Sequence, residues 1–121
     1  MKEKNLIREK SYNFALEIIK LYKFLNFDKK EFVIARQVLR SGTSIGANIE
    51  EAQAAQSTKD FISKLSIANK EARETLYWLR LLDDSKILDG YKNTGLLLKE
   101  IKSIINILTK IIKTLQERRK K

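Results

Sequence analysis

The chain of 121 residues contains no cysteine, no histidine and no proline, and its only glycines are Gly42, Gly46, Gly90 and Gly95. Without cysteine and histidine there are no disulfide scaffolds, thiol nucleophiles, imidazole bases or zinc sites built from those ligands. Without proline, and with so little glycine, the punctuation of strand-rich and loop-rich folds is missing, which points to long helices. No apolar run approaches the length that spans a bilayer. Met1-Lys2-Glu3-Lys4-Asn5 leads into charged, helix-like sequence without the apolar segment of an export signal, so a cytoplasmic location is expected.

What is present suits one soluble domain over residues 1–121: at 43% hydrophobic and 33% charged, 121 residues are long enough for a core and too short for two. Lys and Arg number 25 against 15 Asp and Glu, a net charge of +10 that favours polyanionic partners such as nucleic acid or an anionic membrane.

Apolar residues recur at steps of three and four, without sustained alternation, and delineate four helices. The first is expected from about Asn5 to Leu25, with Ile7, Phe14, Ile18, Leu21 and Leu25 on its stripe and Ala15, Ile19 and Tyr22 widening it. Asp28 reads as the N-cap of the second, with Glu31 three residues on and Phe27 and Phe32 as a hydrophobic staple; its pattern runs to about Ala55. Ser57 caps the third, which carries Asp60 in its first turn and continues to about Asp83. A connection over Asp84–Asn93, containing Asp89-Gly90, precedes a fourth helix from about Thr94 to Arg118. Short turns between helices of similar length imply an all-α, antiparallel up-down-up-down four-helix bundle. The fourth helix bears one seam of Leu97, Ile101, Ile104, Leu108, Ile111 and Leu115 and a second column of Leu98, Ile105 and Ile112. That second column is either subunit-contact surface or simply a broad core face.

The segment Arg40-Ser-Gly-Thr-Ser-Ile-Gly-Ala-Asn-Ile-Glu-Glu-Ala52 is unusual inside a helix, because each glycine forfeits roughly 1 kcal/mol against alanine. Close packing against a neighbouring helix must offset that loss. Ser41, Ser44 and Asn48 share one side at helical spacing. Folding the second and third helices back around Gln56 and Ser57 sets Ser44 beside Asn69, and Asn48 near Leu65 and Ser66. A buried polar layer that fixes register is therefore expected, rather than a binding site, since no charge is focused there.

This same motif, Ser41 to Ala52, together with Lys59-Asp-Phe-Ile-Ser-Lys-Leu65 and Ala72-Arg-Glu-Thr-Leu-Tyr-Trp-Leu-Arg-Leu-Leu82, resembles the bacterial 23S ribosomal RNA intervening-sequence proteins over nearly the whole length. The resemblance implies an antiparallel four-helix bundle that assembles into five-fold rings. It is also similar to the accessory variability proteins of diversity-generating retroelements, which implies nucleic-acid binding and a reverse transcriptase or other protein as a partner. The family supplies no catalytic residues to carry over.

Charge is distributed unevenly: residues 1–29 carry 7 basic and 4 acidic side chains, 30–57 carry 3 and 3, 58–85 carry 5 and 5, and 86–121 carry 10 and 3. In the expected bundle the start of the first helix and the end of the fourth share one pole, gathering Lys2, Lys4, Arg8 and Lys10 with Lys110, Lys113, Arg118, Arg119, Lys120 and Lys121. These are the candidate nucleic-acid-binding residues, and a ring would multiply their effect. The competing reading of the tail is a solvated helix end. Trp78 and Tyr77, near Arg73 and Arg80, read as core or interface anchors rather than a stacking platform.

Glu50, Glu51, Asp60, Glu71 and Glu74 read as solvated partners of basic residues, and a di-iron Glu-x-x-His motif is excluded. The sequence thus points to a homo-oligomeric protein that binds RNA or DNA electrostatically. No enzyme activity, metal, cofactor or membrane partner is expected. A protein–protein scaffold is the alternative.

Overall fold

In the structure, a computed structural model, residues 2–120 are described, Glu3 and Lys4 by their backbone alone. Four helices form: α1, Lys2–Lys23; α2, Phe32–Ala52; α3, Thr58–Asp84; and α4, Thr94–Lys120. A single π-helical turn, Phe24–Asp28, extends α1. Each helix packs on its neighbours in chain order and α1 also packs on α4, while among the described residues the backbones of the diagonal pairs stay apart. This is the antiparallel up-down-up-down bundle that short connections require.

The stripes read on the first and fourth helices meet the buried faces of α2 and α3 on the bundle axis. Ile7, Phe14, Ile18, Leu21 and Leu25 face Ala35, Val38, Ile45 and Ile49, Leu65, Ala68, Ala72 and Leu79, and Leu97, Ile101, Ile104, Leu108 and Ile111, all buried. Each large aliphatic side chain removed from water stabilises the fold by about 1.5–3 kcal/mol. Ile105 is also buried, and Leu98 and Ile112 pack partly against this core, so the second column of α4 is a broad core face. Apolar surface is left over elsewhere. Ile19, read as part of the α1 core stripe, is exposed together with Tyr12 and Leu16.

Ser57 caps α3 as read: its side chain accepts from the Asp60 backbone N–H at 3.0 Å, and Asp60 accepts in turn from the Gln56 N–H at 3.3 Å. The start of α2 differs from the reading. Its N-cap is Glu31, whose carboxylate accepts from the Ile34 N–H at 3.1 Å, while Asp28 ends the π turn. The Phe27–Phe32 staple does not form, and the two rings are 70% and 47% exposed. The cause is the wide turn: the Lys29 N–H reaches back to the Phe24 carbonyl and the Glu31 N–H to the Leu25 carbonyl, so Asp28 is spent inside it.

The polar pairing between α2 and α3 also differs. Ser44 donates to the Arg40 carbonyl and Asn48 to the Ser44 carbonyl, both within α2, and Asn69 donates across to Thr109 on α4. The buried pair is Ser41 with Thr75, whose hydroxyl oxygens lie 2.9 Å apart. Thr75 stands one turn beyond the residue that a tight reversal at Gln56 would bring level, because Gln53–Ser57 is a non-helical connection that offsets α3.

Candidate nucleic-acid interface

The last α4 side chain to enter the core is Leu115, which lies beside Ala52, Ser57 and Phe61 at the α2–α3 turn. Gln116–Lys120 are all exposed. The helix thus outlasts its packing by about a turn and a half, roughly 7 Å at 1.5 Å per residue. Lys2 is exposed at the same end, the pole expected from the topology. Lys121 and the Lys4 side chain lie outside the described residues.

Two of the cations assigned to that pole are consumed within the bundle. Arg8 donates through Nε and Nη2 to both carboxylate oxygens of Glu50, at 3.1 and 3.2 Å. The hydrogen bonds first, and the adjacent negative charge second, hold the Arg8 guanidinium above its ordinary pKa. Lys10 donates to Glu100 at 2.8 Å. Arg8 and Lys10 therefore tie α1 to α2 and α4, and they do not form an open basic surface. Basic residues also stand at the far end of the bundle, where Lys20, Lys23, Lys29, Lys30, Lys86 and Lys92 are exposed. The single basic pole is corrected accordingly.

The clearer cationic feature runs along α4. Lys99, Lys102, Lys110, Lys113 and Lys120 are all exposed and share the side opposite the Leu97–Leu115 seam. From Lys99 to Lys120 this face extends about 32 Å. Among the described residues none of these five lysines is in an ion pair, and Glu117 is the acidic residue among them. Lys110, Lys113 and Lys120 belonged to the sequence-based set; Lys99 and Lys102 did not. Their signal was legible as lysines recurring at steps of three, seven and eight residues between the apolar positions.

The surface acids are engaged as solvated partners. Glu51 pairs with Lys64 at 3.4 Å, and Arg40 bridges Glu71 at 3.0 Å and Glu74. Trp78 Nε1 donates to Glu74 at 3.0 Å, which leaves the indole half-buried at the edge of the core, with Tyr77 exposed beside it. Among the described residues no group of three or more acidic side chains is placed to hold a metal ion, and no helix is long and apolar enough to cross a membrane.

These features define a small antiparallel four-helix bundle with one cationic helix face and, on α1, one uncovered apolar face. The chain belongs to the 23S rRNA-intervening sequence protein family, whose model matches residues 3–110. It is similar to the crystal structure of a protein of unknown function from the S23 ribosomal protein family of Bacteroides thetaiotaomicron. That similarity has a TM-score of 0.86 at 49% identity and covers 92% of this chain and 98% of the other. Among curated proteins, none matches this chain.

Proposed function

We propose that this protein is a non-enzymatic, cytoplasmic homo-oligomer, pentameric by its family resemblance, that binds RNA or DNA electrostatically and assists RNA or retroelement processes. The observation that carries the reading is the α4 face of Lys99, Lys102, Lys110, Lys113 and Lys120, solvent-exposed and, among the described residues, without ion-pair partners. Such a row attracts phosphates by releasing their condensed counterions, an effect that is indifferent to base sequence. Several α4 faces in one assembly engage one strand at high effective concentration, so modest affinity per subunit suffices.

A fluorescence-anisotropy titration of single-stranded RNA, duplex DNA and a neutral polymer at several salt concentrations tests this. Affinity for both nucleic acids should fall steeply with salt, and K110A/K113A/K120A should flatten the log–log slope by about 0.7–0.9 for each phosphate that is no longer neutralised. Absence of binding at low salt sinks the reading. What then stands is a protein–protein scaffold, favoured by the exposed α1 stripe of Tyr12, Leu16 and Ile19.

A further inference from the structure

The α1–α2 end of the bundle exposes what a core would ordinarily take. The π turn at Phe24–Asp28 sends Leu25 into the core and leaves Phe27 outside, 70% exposed. Five residues on, Phe32 opens α2 at 47% exposure, with Val33 beside it at 66%. Neither phenyl ring closes the helix start, because Glu31 does that through its own carboxylate. Lys30 holds a left-handed backbone, φ 53°, at the apex. Fully burying a phenylalanine is worth about 1.5–3 kcal/mol, and the fold forgoes most of that gain at Phe27 and about half of it at Phe32.

The surroundings narrow what these rings fit. Lys23, Lys29, Lys30 and Arg36 are all exposed within the same stretch of chain, against Asp28 and the capping Glu31. Cores of protein–protein interfaces are depleted in charge, so an apolar protein partner matches this tip poorly. An anionic bilayer would have to take up Asp28 together with the rings. Flat aromatic faces bracketed by cations match the unpaired bases and flanking phosphates of a single strand, in which stacking supplies affinity without choosing a sequence.

We infer that the α1–α2 tip is a stacking platform for single-stranded nucleic acid, with Phe27 and Phe32 receiving bases and Lys23, Lys29, Lys30 and Arg36 receiving phosphates. The site shares a ligand class with the α4 lysine face but no residue, so either can fail alone. It responds to bases, whereas the α4 face responds only to backbone charge.

The full chain is titrated with labelled oligothymidylate of about twelve nucleotides and with an abasic oligomer of equal phosphate count. Wild type should bind the thymidylate about ten-fold more tightly than the abasic strand, a gain of the size that stacking supplies. F27A/F32A should abolish that difference and leave abasic and duplex binding unchanged. F27L/F32L, which keeps apolar bulk without a flat ring, should behave in the same way. K110A/K113A/K120A should weaken both oligomers equally and preserve their ratio. Equal affinity of wild type for the two oligomers overturns the platform. So does a fall in assembly mass on light scattering for F27A/F32A, which would place the rings against a second copy. Vesicles of phosphatidylserine and phosphatidylcholine that capture wild type but not F27A/F32A, without any base-dependent difference, would assign the tip to a lipid surface instead.

Discussion

Gly42 and Gly46 sit one turn apart on α2, and the close approach that the sequence implied at both is made against α1. A Cβ at Gly42 would lie 2.8 and 2.9 Å from Cγ1 and Cγ2 of Ile18, a fully buried β-branched side chain that cannot swing aside. A Cβ at Gly46 would meet the Ser11 carbonyl oxygen and hydroxyl at 3.5 Å, an ordinary contact. Gly42→Ala should therefore destabilise the protein, since overpacking costs about 1–3 kcal/mol and outweighs the roughly 1 kcal/mol gained in helix propensity. Gly46→Ala should stabilise it by up to about 1 kcal/mol. Urea titrations in which both midpoints move the same way would contradict this geometry. Thr75 has a single proton for two contacts, the Ser41 hydroxyl at 2.9 Å and the Glu71 carbonyl at 2.8 Å, so both are satisfied only when Ser41 donates. Thr75→Val strands the buried Ser41 hydroxyl at a cost of about 1–3 kcal/mol, and S41A/T75V should recover part of that loss. Equal stability of the single and double variants would show that Ser41 does not depend on Thr75.

At the scale of the helices, existence and type followed from local signals, whereas the start of α2 did not. Asp28, Glu31, Phe27 and Phe32 have the residue types and spacing of a capping box with a staple, and nothing local distinguishes that arrangement from a π turn followed by a Glu31 cap. The decision comes from Leu25, which is fully buried, and from the Glu31 N–H bonding back to the Leu25 carbonyl at 2.9 Å. Glu31→Ala should cost about 1 kcal/mol by analogy with other cap losses, while Asp28→Ala should stay within about 0.5 kcal/mol. Thermal melts of the two variants separate the alternatives, and a larger loss for Asp28→Ala would restore the capping-box start. Ser57 carried a cleaner signal, because its cap needs only Asp60 three residues away.

For the molecule as a whole, the stripe of Tyr12, Leu16 and Ile19 is the counterpart of the spare apolar surface that the sequence suggested on α4. Tyr12 is 67% exposed on a helix whose opposite side is fully committed to the core. If the proposed assembly forms through this stripe, Tyr12→Lys and Ile19→Lys together should leave helicity intact and lower the mass measured by light scattering, since both would put charge into the contact. A wild type that is already monomeric at micromolar concentration would remove the homo-oligomer from the proposed function and leave the α4 face to act alone.

Four amphipathic helices, their order and the Ser57 cap were settled by the sequence itself, because each depends on residues within a turn or two of one another. Side-chain allegiance across the bundle was decided only on folding. Arg8 is claimed by Glu50, 42 positions away, and Lys10 by Glu100, 90 positions away; Ser41, rather than Ser44, finds a buried partner on α3. Such pairings depend on the rotation and relative height of whole helices, and shifting α3 by a single turn exchanges the partner while leaving every local period unchanged. The cationic surface was for that reason visible as a charge surplus before folding, and took shape as an α4 face only once the bundle had neutralised Arg8 and Lys10.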